Sequence, residues 1–328
     1  MRLETVTVVG AGAWGSALAQ AAAKAGRRVT LIARDEAVVA EINARHTNGR
    51  HLGGLPLEPG ITAEPLFVPA DIVILAVPAQ ATRQALSAID PEFLAGRPVV
   101  LTAKGLETGT LERQSEILAA MAPEAVPYVL SGPSFAADVA AGRPTAVTLA
   151  GDKASETSML AAALAGPSLR PYAADDRIGV EVAGALKNVY ALACGAVEGA
   201  GLGLSARSAL LARAYAEMAR IVTAMGGSAT TLTGLAGLGD LTLSCTSPQS
   251  RNYTFGLALG RGERTETILA GGARLAEGVA TAPVAGQLAG KLEVEAPLIE
   301  AVNRLLAGTA SITDIVAGLM ARPLKRES

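Results

Sequence analysis

Two cysteines and two histidines in 328 residues leave several chemistries without material. His46 and His51 have no cysteine or carboxylate partner at ligand spacing, so no metal cluster is expected. Neither lies in the second half of the chain, which removes a histidine acid for hydride-transfer chemistry there. Cys194 and Cys245 sit in apolar contexts. The chain enters a strand at once, without the charged leader and apolar segment of a secretory signal. Free buried thiols in a cytoplasmic protein are therefore expected rather than a disulfide. The net charge of −2 offers no basic surface for nucleic acid. Half of the residues are apolar, much of that fraction alanine, yet no uninterrupted run reaches the roughly 18 residues of a membrane span. The most suspicious segment, 189–197, is too short. Lysine is scarce as well, six residues against 22 arginines, so each lysine in an unusual setting is informative.

What the chain does contain is organised around residues 6–19. They read Val6-Thr7-Val8-Val9-Gly10-Ala11-Gly12-Ala13-Trp14-Gly15-Ser16-Ala17-Leu18-Ala19: a β-branched run, three glycines spaced G-x-G-x-x-G, then helix formers without a break. Glycine-rich turns are common, but here the strand before and the helix after favour dinucleotide binding. Each glycine then has a separate role. Gly10 permits the turn, Gly12 lets backbone approach a pyrophosphate, and Gly15 brings the helix close to the sheet. The pyrophosphate would rest on the open N–H groups of the helix N-terminus. Residues 28–33 form a second apolar strand ending at Arg34-Asp35, about 20 residues past the last glycine, where the ribose-reading residue belongs. An acid alone there favours NAD, whereas arginine pairs with the 2′-phosphate of NADP. Both are present, so the expectation is NADP(H) with NAD(H) tolerated.

Further strands are expected over 71–78, 98–103, 126–130 and 145–150. They alternate with helices over 36–44, 81–88, 111–121 and 154–164, and residues 45–60 read as a loop. Continuous apolar strands between helices indicate an α/β, Rossmann-type doubly wound parallel sheet. Beyond about residue 175 strand signals fade and helices dominate, over 176–197, 206–225, 254–259 and parts of 282–319. This divides the chain into a dinucleotide-binding domain, 1–178, and an all-α substrate-binding domain, 179–328. The tail Lys325-Arg326-Glu327-Ser328 reads as a solvated end. Ligands bind outside the carboxyl ends of parallel strands, so Gly10–Gly15, Arg34, Val77-Pro78, Lys104-Gly105 and residues 131–135 should share one edge.

Two lysines fall where chemistry is possible. Lys187 lies in Gly184-Ala185-Leu186-Lys187-Asn188-Val189-Tyr190 on an apolar helix, with Ala183, Gly184 and Ala191 one turn away. Small neighbours leave room for a ligand and desolvate the ammonium, a setting for general acid–base work, with Asn188 able to orient the same ligand. On the helix alone, a lysine snorkelling to solvent is the stronger reading. Lys104 ends a strand on the functional edge and could serve as a fixed positive charge. Ser131-Gly132-Pro133-Ser134-Phe135 offers hydroxyls and backbone donors, though it is also ordinary turn chemistry. The glycine-rich 234–245 stretch reads as a flexible loop presenting Asp240, a carboxylate that needs a partner if buried, with Lys187 the obvious one. Ser250-Arg251-Asn252 opens a helix with Ser250 as N-cap, which is either a phosphate site or a capped surface helix.

In order along the chain, Gly-Ala-Gly-Ala-Trp-Gly, Ala-Lys-Gly-Leu-Glu, Ser-Gly-Pro-Ser-Phe-Ala, Ala-Leu-Lys-Asn-Val, Gly-Leu-Gly-Asp-Leu and Ser-Arg-Asn resemble the NAD(P)-dependent glycerol-3-phosphate dehydrogenases, the bacterial form in particular. The resemblance spans about residues 5–320. It implies reversible hydride transfer between NAD(P)H and dihydroxyacetone phosphate, giving sn-glycerol 3-phosphate for phospholipid synthesis, in a homodimer. By position it implies Lys187 as proton donor and acceptor, supported by Asn188 and Ser244, and a substrate set of Lys104, Gly132, Ser134, Lys187, Asp240, Ser250, Arg251 and Asn252. Ala13, Trp14, Arg34, His51, Lys104, Ala136, Arg251, Leu275 and Glu277 would line the cofactor site with Gly10, Gly12 and Gly15. Ala13 stands where serine is common in the family, His51 where a bulkier aromatic or arginine is frequent, and Ala276 where valine is usual. Two rivals remain: a sibling reductase of a 3-hydroxyacid or ketopantoate type, whose substrate carboxylate could use the same Ser-Arg-Asn, and a non-catalytic NADP sensor.

Overall fold

The computed structural model describes residues 3–271, 276–321 and 323. Strands β1 (Thr5–Val9), β2 (Arg28–Ile32), β3 (Ile61–Glu64), β4 (Ile72–Leu75), β5 (Pro98–Leu101), β6 (Val126–Ser131), β7 (Thr145–Ala150) and β8 (Leu169–Ala174) form one sheet in the order β3-β2-β1-β4-β5-β6-β7-β8. Valine, isoleucine, leucine and threonine dominate the central strands, side chains that pack well on a pleated surface. Every residue of β4 and β5 is buried, as strands covered on both faces require. Helices α1 (Ala13–Lys24), α2 (Glu36–Arg45), α3 (Gly49–Leu52), α4 (Thr82–Ser87), α5 (Gln114–Met121), α6 (Ala136–Ala140) and α7 (Ala154–Leu164) lie between the strands in sequence. The chain runs outward through β1, β2 and β3, then returns to lay β4 on the other side of β1. Strand order thus reverses at β1, and the carboxyl ends of β1, β2, β4, β5 and β6 share the edge where sheets of this kind bind ligands.

The doubly wound α/β architecture expected from the sequence is therefore present, with three corrections. First, β7 runs antiparallel to β6, and only β8 pairs parallel with β7. The helix between β6 and β7, α6, has five residues and advances about 8 Å. Returning the chain along a six-residue strand needs about 20 Å, so the connection reverses direction instead. Second, β3 and β8 escaped the sequence reading. They are the edge strands, and their alternating burial and Pro171 hide the apolar run that marks a central strand. Third, the 45–60 loop contains α3 and a bridge between Thr47 and Pro56.

From residue 177 onward the described chain is helical: α8 (Arg177–Gly199), α9 (Leu204–Ala224), α10 (Asp240–Thr246), α11 (Arg251–Gly260), α12 (Thr265–Ala270), α13 (Glu277–Lys291), α14 (Pro297–Leu306) and α15 (Ile312–Met320), with short helical turns between α9 and α10. Asp176 caps α8 by accepting from Gly179 N at 2.8 Å, and it also holds Thr231 Oγ1 at 2.6 Å. By length and composition α8 could cross a membrane, yet its apolar window is wholly buried inside the protein, packed by α9, α10, α11 and α13. Cys194 and Cys245 are buried free thiols in that second core.

The α8–α11 crossing is the tightest of these packings. A Cβ on Gly195 would stand 2.1 Å from Tyr253 O, and one on Gly256 would stand 2.1 Å from Leu192 O and 2.9 Å from Leu192 C. These are backbone atoms, so no rotamer change relieves the contact. Gly256→Ala gains about 1 kcal/mol of helix propensity but overpacks at a cost of about 1–3 kcal/mol or more. With backbone as the obstacle, the cost wins: the melting temperature followed by circular dichroism should fall. An unchanged or raised melting temperature would show that the helices simply part.

Candidate active site

The turn after β1 has the shape its glycines foretell. Gly10 adopts φ 108°, a left-handed conformation, and donates from its N–H to Ile32 O at 3.1 Å. A Cβ on Gly15 would lie 1.8 Å from Gly10 O, so only glycine allows α1 this near the strand. A Cβ on Gly12 would meet nothing within 4 Å. That open space in front of backbone is what a pyrophosphate requires. Helix α1 begins at Ala13 with no side-chain cap on its first N–H groups, leaving them to an anion. Trp14 is half-buried beside them, with its Nε1 enclosed and unpartnered among the described residues. The residues present therefore fit a dinucleotide.

At the end of β2 the two candidates separate. Arg34 is exposed. Asp35 is engaged: Oδ1 accepts from Ala37 N at 3.0 Å as the N-cap of α2, and Oδ2 pairs with Arg50 Nη1 at 2.9 Å. His51 is exposed on α3 next to Arg50. Neither Arg50 nor the wholly buried Asn48 was legible as a site residue. Asn48 Nδ2 donates to Ala11 O at 2.9 Å and to Ser16 Oγ at 2.8 Å, tying this segment to the glycine turn. A polar residue in a loop carries no sequence signal of such a contact. Ala136 opens α6 at the carboxyl end of β6, half-buried. Glu277 opens α13 and accepts from Ala79 N at 3.1 Å; burial raises its pKa. Leu275 and the tail 325–328 lie outside the described residues.

Two lysines from different elements converge on Asp240, the first residue of α10. Its Oδ1 receives Lys187 Nζ of α8 at 2.7 Å, and its Oδ2 receives Lys104 Nζ, after β5, at 2.6 Å. Lys187 also donates to Ser244 Oγ at 2.6 Å, and Lys104 to Gly132 O at 3.1 Å, the same carbonyl that accepts from Ser134 Oγ at 2.9 Å. Two ammonium groups on one carboxylate leave the cluster with a net positive charge in a nearly water-free setting, since Asp240 is 1% and Lys187 8% exposed. Burial raises the Asp240 pKa, but attraction to Lys104 and Lys187 outweighs it and holds the carboxyl below its usual range. Burial, with Lys187 alongside, lowers the Lys104 ammonium to about 8 against the opposing pull of Asp240.

These positions bear on three expectations. Lys187 does not snorkel; its ammonium is turned into the protein and held by two partners. Lys104 is held by Asp240 and Gly132 O, and desolvation lowers its pKa to about 8. Asp240 stands on a helix that follows a wide helical turn, Leu235–Gly239, rather than on a flexible loop. The glycines serve close packing there, since a Cβ on Gly237 would lie 2.2 Å from Leu232 O.

The start of α11 closes the site. Ser250 caps it, its Oγ accepting from Tyr253 N at 3.3 Å, and Arg251 is exposed beside the first turn. Asn252 is turned inward: Nδ2 donates to Asn188 Oδ1 at 2.9 Å, and Oδ1 accepts from Gly278 N at 2.9 Å. Asn188 Nδ2 in turn donates to Lys104 O at 2.8 Å. These contacts link α11, α8, α13 and the Lys104 backbone, and each Nδ2 has a second N–H left over for a ligand. Among the described residues no group of three or more His, Cys, Asp or Glu could hold a metal.

The chain is similar over its length to known proteins. The family described as NAD-dependent glycerol-3-phosphate dehydrogenase matches through its N-terminal part at residues 5–157 and its C-terminal part at 176–317. A protein of Caulobacter vibrioides named glycerol-3-phosphate dehydrogenase [NAD(P)+] is 50% identical over all of both chains. One of the same name from Methylobacterium radiotolerans is 49% identical, again over all of both. The crystal structure of glycerol-3-phosphate dehydrogenase from Coxiella burnetii superposes with a TM-score of 0.89 at 35% identity, covering 98% of this chain and 100% of that one.

Proposed function

The chain belongs to the NAD-dependent glycerol-3-phosphate dehydrogenase family, and on that premise we propose how its residues divide the work of interconverting dihydroxyacetone phosphate and sn-glycerol 3-phosphate with NAD(P)H. The chain is an oxidoreductase of a small-molecule substrate, and this reading takes its product to supply phospholipid synthesis. The chemistry supplied by the bound dihydronicotinamide is hydride donation to C2 of the ketone. Everything else falls to the protein.

Gly10, Gly12, Ala13, Trp14 and Gly15 hold the dinucleotide at the turn after β1, with Arg34, His51, Ala136 and Glu277 further along it. Arg251, Ser250 and the N–H groups opening α11 hold the substrate phosphate. Lys187 gives its proton to the carbonyl oxygen as negative charge develops there, and takes it back in the reverse direction. Asp240 and Ser244 fix the Lys187 ammonium, while Lys104, Gly132 and Ser134 shape the pocket around it. The observation that carries this reading is the Lys187–Asp240–Lys104 cluster, buried within hydrogen-bond distance on the edge where the dinucleotide turn opens. A carboxylate substrate could use the same Arg251, but nothing at this site singles out a carboxylate over a phosphate. A non-catalytic sensor would have no use for two desolvated lysines on one aspartate. The same reading takes residues 1–178 as the dinucleotide-binding domain and 179–328 as the substrate domain, since the last strand ends at Ala174 and helices follow. It also takes the enzyme to work in the cytoplasm as a homodimer.

The deciding experiment is oxidation of NADPH, followed by its near-ultraviolet absorbance, with dihydroxyacetone phosphate beside unphosphorylated dihydroxyacetone. Turnover should require the phosphate. A charge-assisted phosphate contact contributes about 1.5–3 kcal/mol, so Arg251→Ala should raise KM for the phosphorylated ketone roughly 10- to 100-fold and leave the weak unphosphorylated reaction unchanged. Equal loss on both ketones would remove Arg251 from the phosphate site. NADPH binding without turnover of either would return the sensor reading.

A further inference from the structure

We propose that Arg50 determines cofactor choice by reading the adenosine 2′-phosphate, and that it does so partly by taking Asp35 away from the ribose. The inference rests on the dinucleotide site assigned above. In the NAD-binding form of this fold, an acid after the second strand accepts the ribose 2′-hydroxyl. Asp35 is the acid at that place, and both of its oxygens are occupied, Oδ1 by Ala37 N at 3.0 Å and Oδ2 by Arg50 Nη1 at 2.9 Å. A ribose hydroxyl would have to displace either a helix cap or an ion pair.

Arg50 itself is well placed for an anion. Its guanidinium carries five N–H donors, one of which is committed to Asp35, and its side chain is 69% exposed. An ion pair so exposed is weak by itself, but the backbone beneath it is fixed from two sides. Asn48 bonds Ala11 O and Ser16 Oγ of the glycine turn and its helix, while Glu41 of α2 accepts from Gly49 N at 2.8 Å and from Thr47 Oγ1 at 2.7 Å. Leu57 N donates to His46 O at 2.7 Å across the base of the segment. Arg50 is therefore held at a set distance from both the pyrophosphate turn and the end of β2. Arg34 and Arg50 against Asp35 leave one net positive charge at the ribose end. A phosphate dianion matches that charge and can take a forked guanidinium contact, whereas a neutral hydroxyl gains little from it.

The experiment measures binding of two fragments without a nicotinamide, 2′,5′-ADP and 5′-AMP, to the full chain by titration calorimetry. The wild type should bind 2′,5′-ADP more tightly. Arg50→Ala should weaken 2′,5′-ADP about tenfold or more and leave 5′-AMP unweakened or tighter, since Asp35 Oδ2 is released to the ribose, and Arg50→Lys should recover part of the loss. Asp35→Asn, which keeps the helix cap, should leave 5′-AMP binding unaltered. Equal weakening of both fragments by Arg50→Ala, or none, would overturn the proposal, as would loss of 5′-AMP affinity in Asp35→Asn. If Arg34→Ala abolishes the preference for 2′,5′-ADP while Arg50→Ala preserves it, the NADP(H) reading stands and only the role of Arg50 falls. If the wild type shows no preference, both fall together.

Discussion

Lys187→Ala should lower kcat by about 10²- to 10⁴-fold, the range a positioned general acid supplies, equivalent to about 2.7–5.5 kcal/mol of barrier. The cost arises at one atom. The alkoxide oxygen forming at C2 needs a proton, and in a site this enclosed bulk water is a poor substitute. Lys187→Ala leaves Asp240 its bond to Lys104, so the fold and the phosphate contacts should survive. NADPH binding should be retained and KM for dihydroxyacetone phosphate should move far less than kcat. Lys187→Arg separates acid catalysis from electrostatics: guanidinium keeps the charge but does not release its proton near neutrality. That variant should stay slow, with restored thermal stability. A Lys187→Ala enzyme within tenfold of wild-type kcat would end the assignment.

Legibility from sequence followed the range of the physics. The dinucleotide turn was readable because the three glycines act within six residues and depend on local backbone, which the φ of Gly10 and the crowding at Gly15 bear out. Central strands were readable because burial on both faces makes them continuous apolar runs. The edge strands were not, because Leu169–Ala174 is half-exposed and interrupted by Pro171. Direction was not readable for β7, since it depends on how far α6 carries the chain and not on the composition of the strand.

Within the site, the sequence offered residue types but not directions. Lys187 on an apolar helix is compatible with a ligand or with solvent, and only Asp240, 53 positions away, decides between them. Lys104 meets the same carboxylate across 136 positions. Asn252 looked like a phosphate ligand from its place in Ser-Arg-Asn. The structure adds that its amide is fixed by Asn188 and by Gly278 N, contacts no motif could reveal. Asn48 and Arg50 were invisible because their importance comes from contacts to Ala11, Ser16 and Asp35.

Asp240→Ala should be the most damaging single change for stability and activity together. The carboxylate is 1% exposed and pairs with two ammonium groups. Removing one member of a buried ionic group costs about 3–5 kcal/mol, because the partner charge stays buried without compensation. Here two partners lose it, and they repel one another. Asp240→Asn keeps the volume and allows the chemistry to be measured: kcat should fall because Lys187 loses the group that orients it. The pH dependence of stability carries a definite sign. Lys104 has a folded pKa of about 8, below its unfolded value, with Asp240 opposing that depression. Without the carboxylate the folded pKa drops further. A depressed lysine costs stability while charged, and the cost is relieved as pH rises from the folded toward the unfolded pKa. Between the variant's lower pKa and about 8, the variant sheds this cost first. The Lys104 share of the stability gap between wild type and Asp240→Asn should therefore shrink as pH rises toward 8 and vanish above it, leaving the pH-independent remainder. Denaturant unfolding at a series of pH values from 6 to 9 would show this narrowing. A gap that stayed constant, or widened with pH, would mean that Lys104 does not share the Asp240 carboxylate in solution.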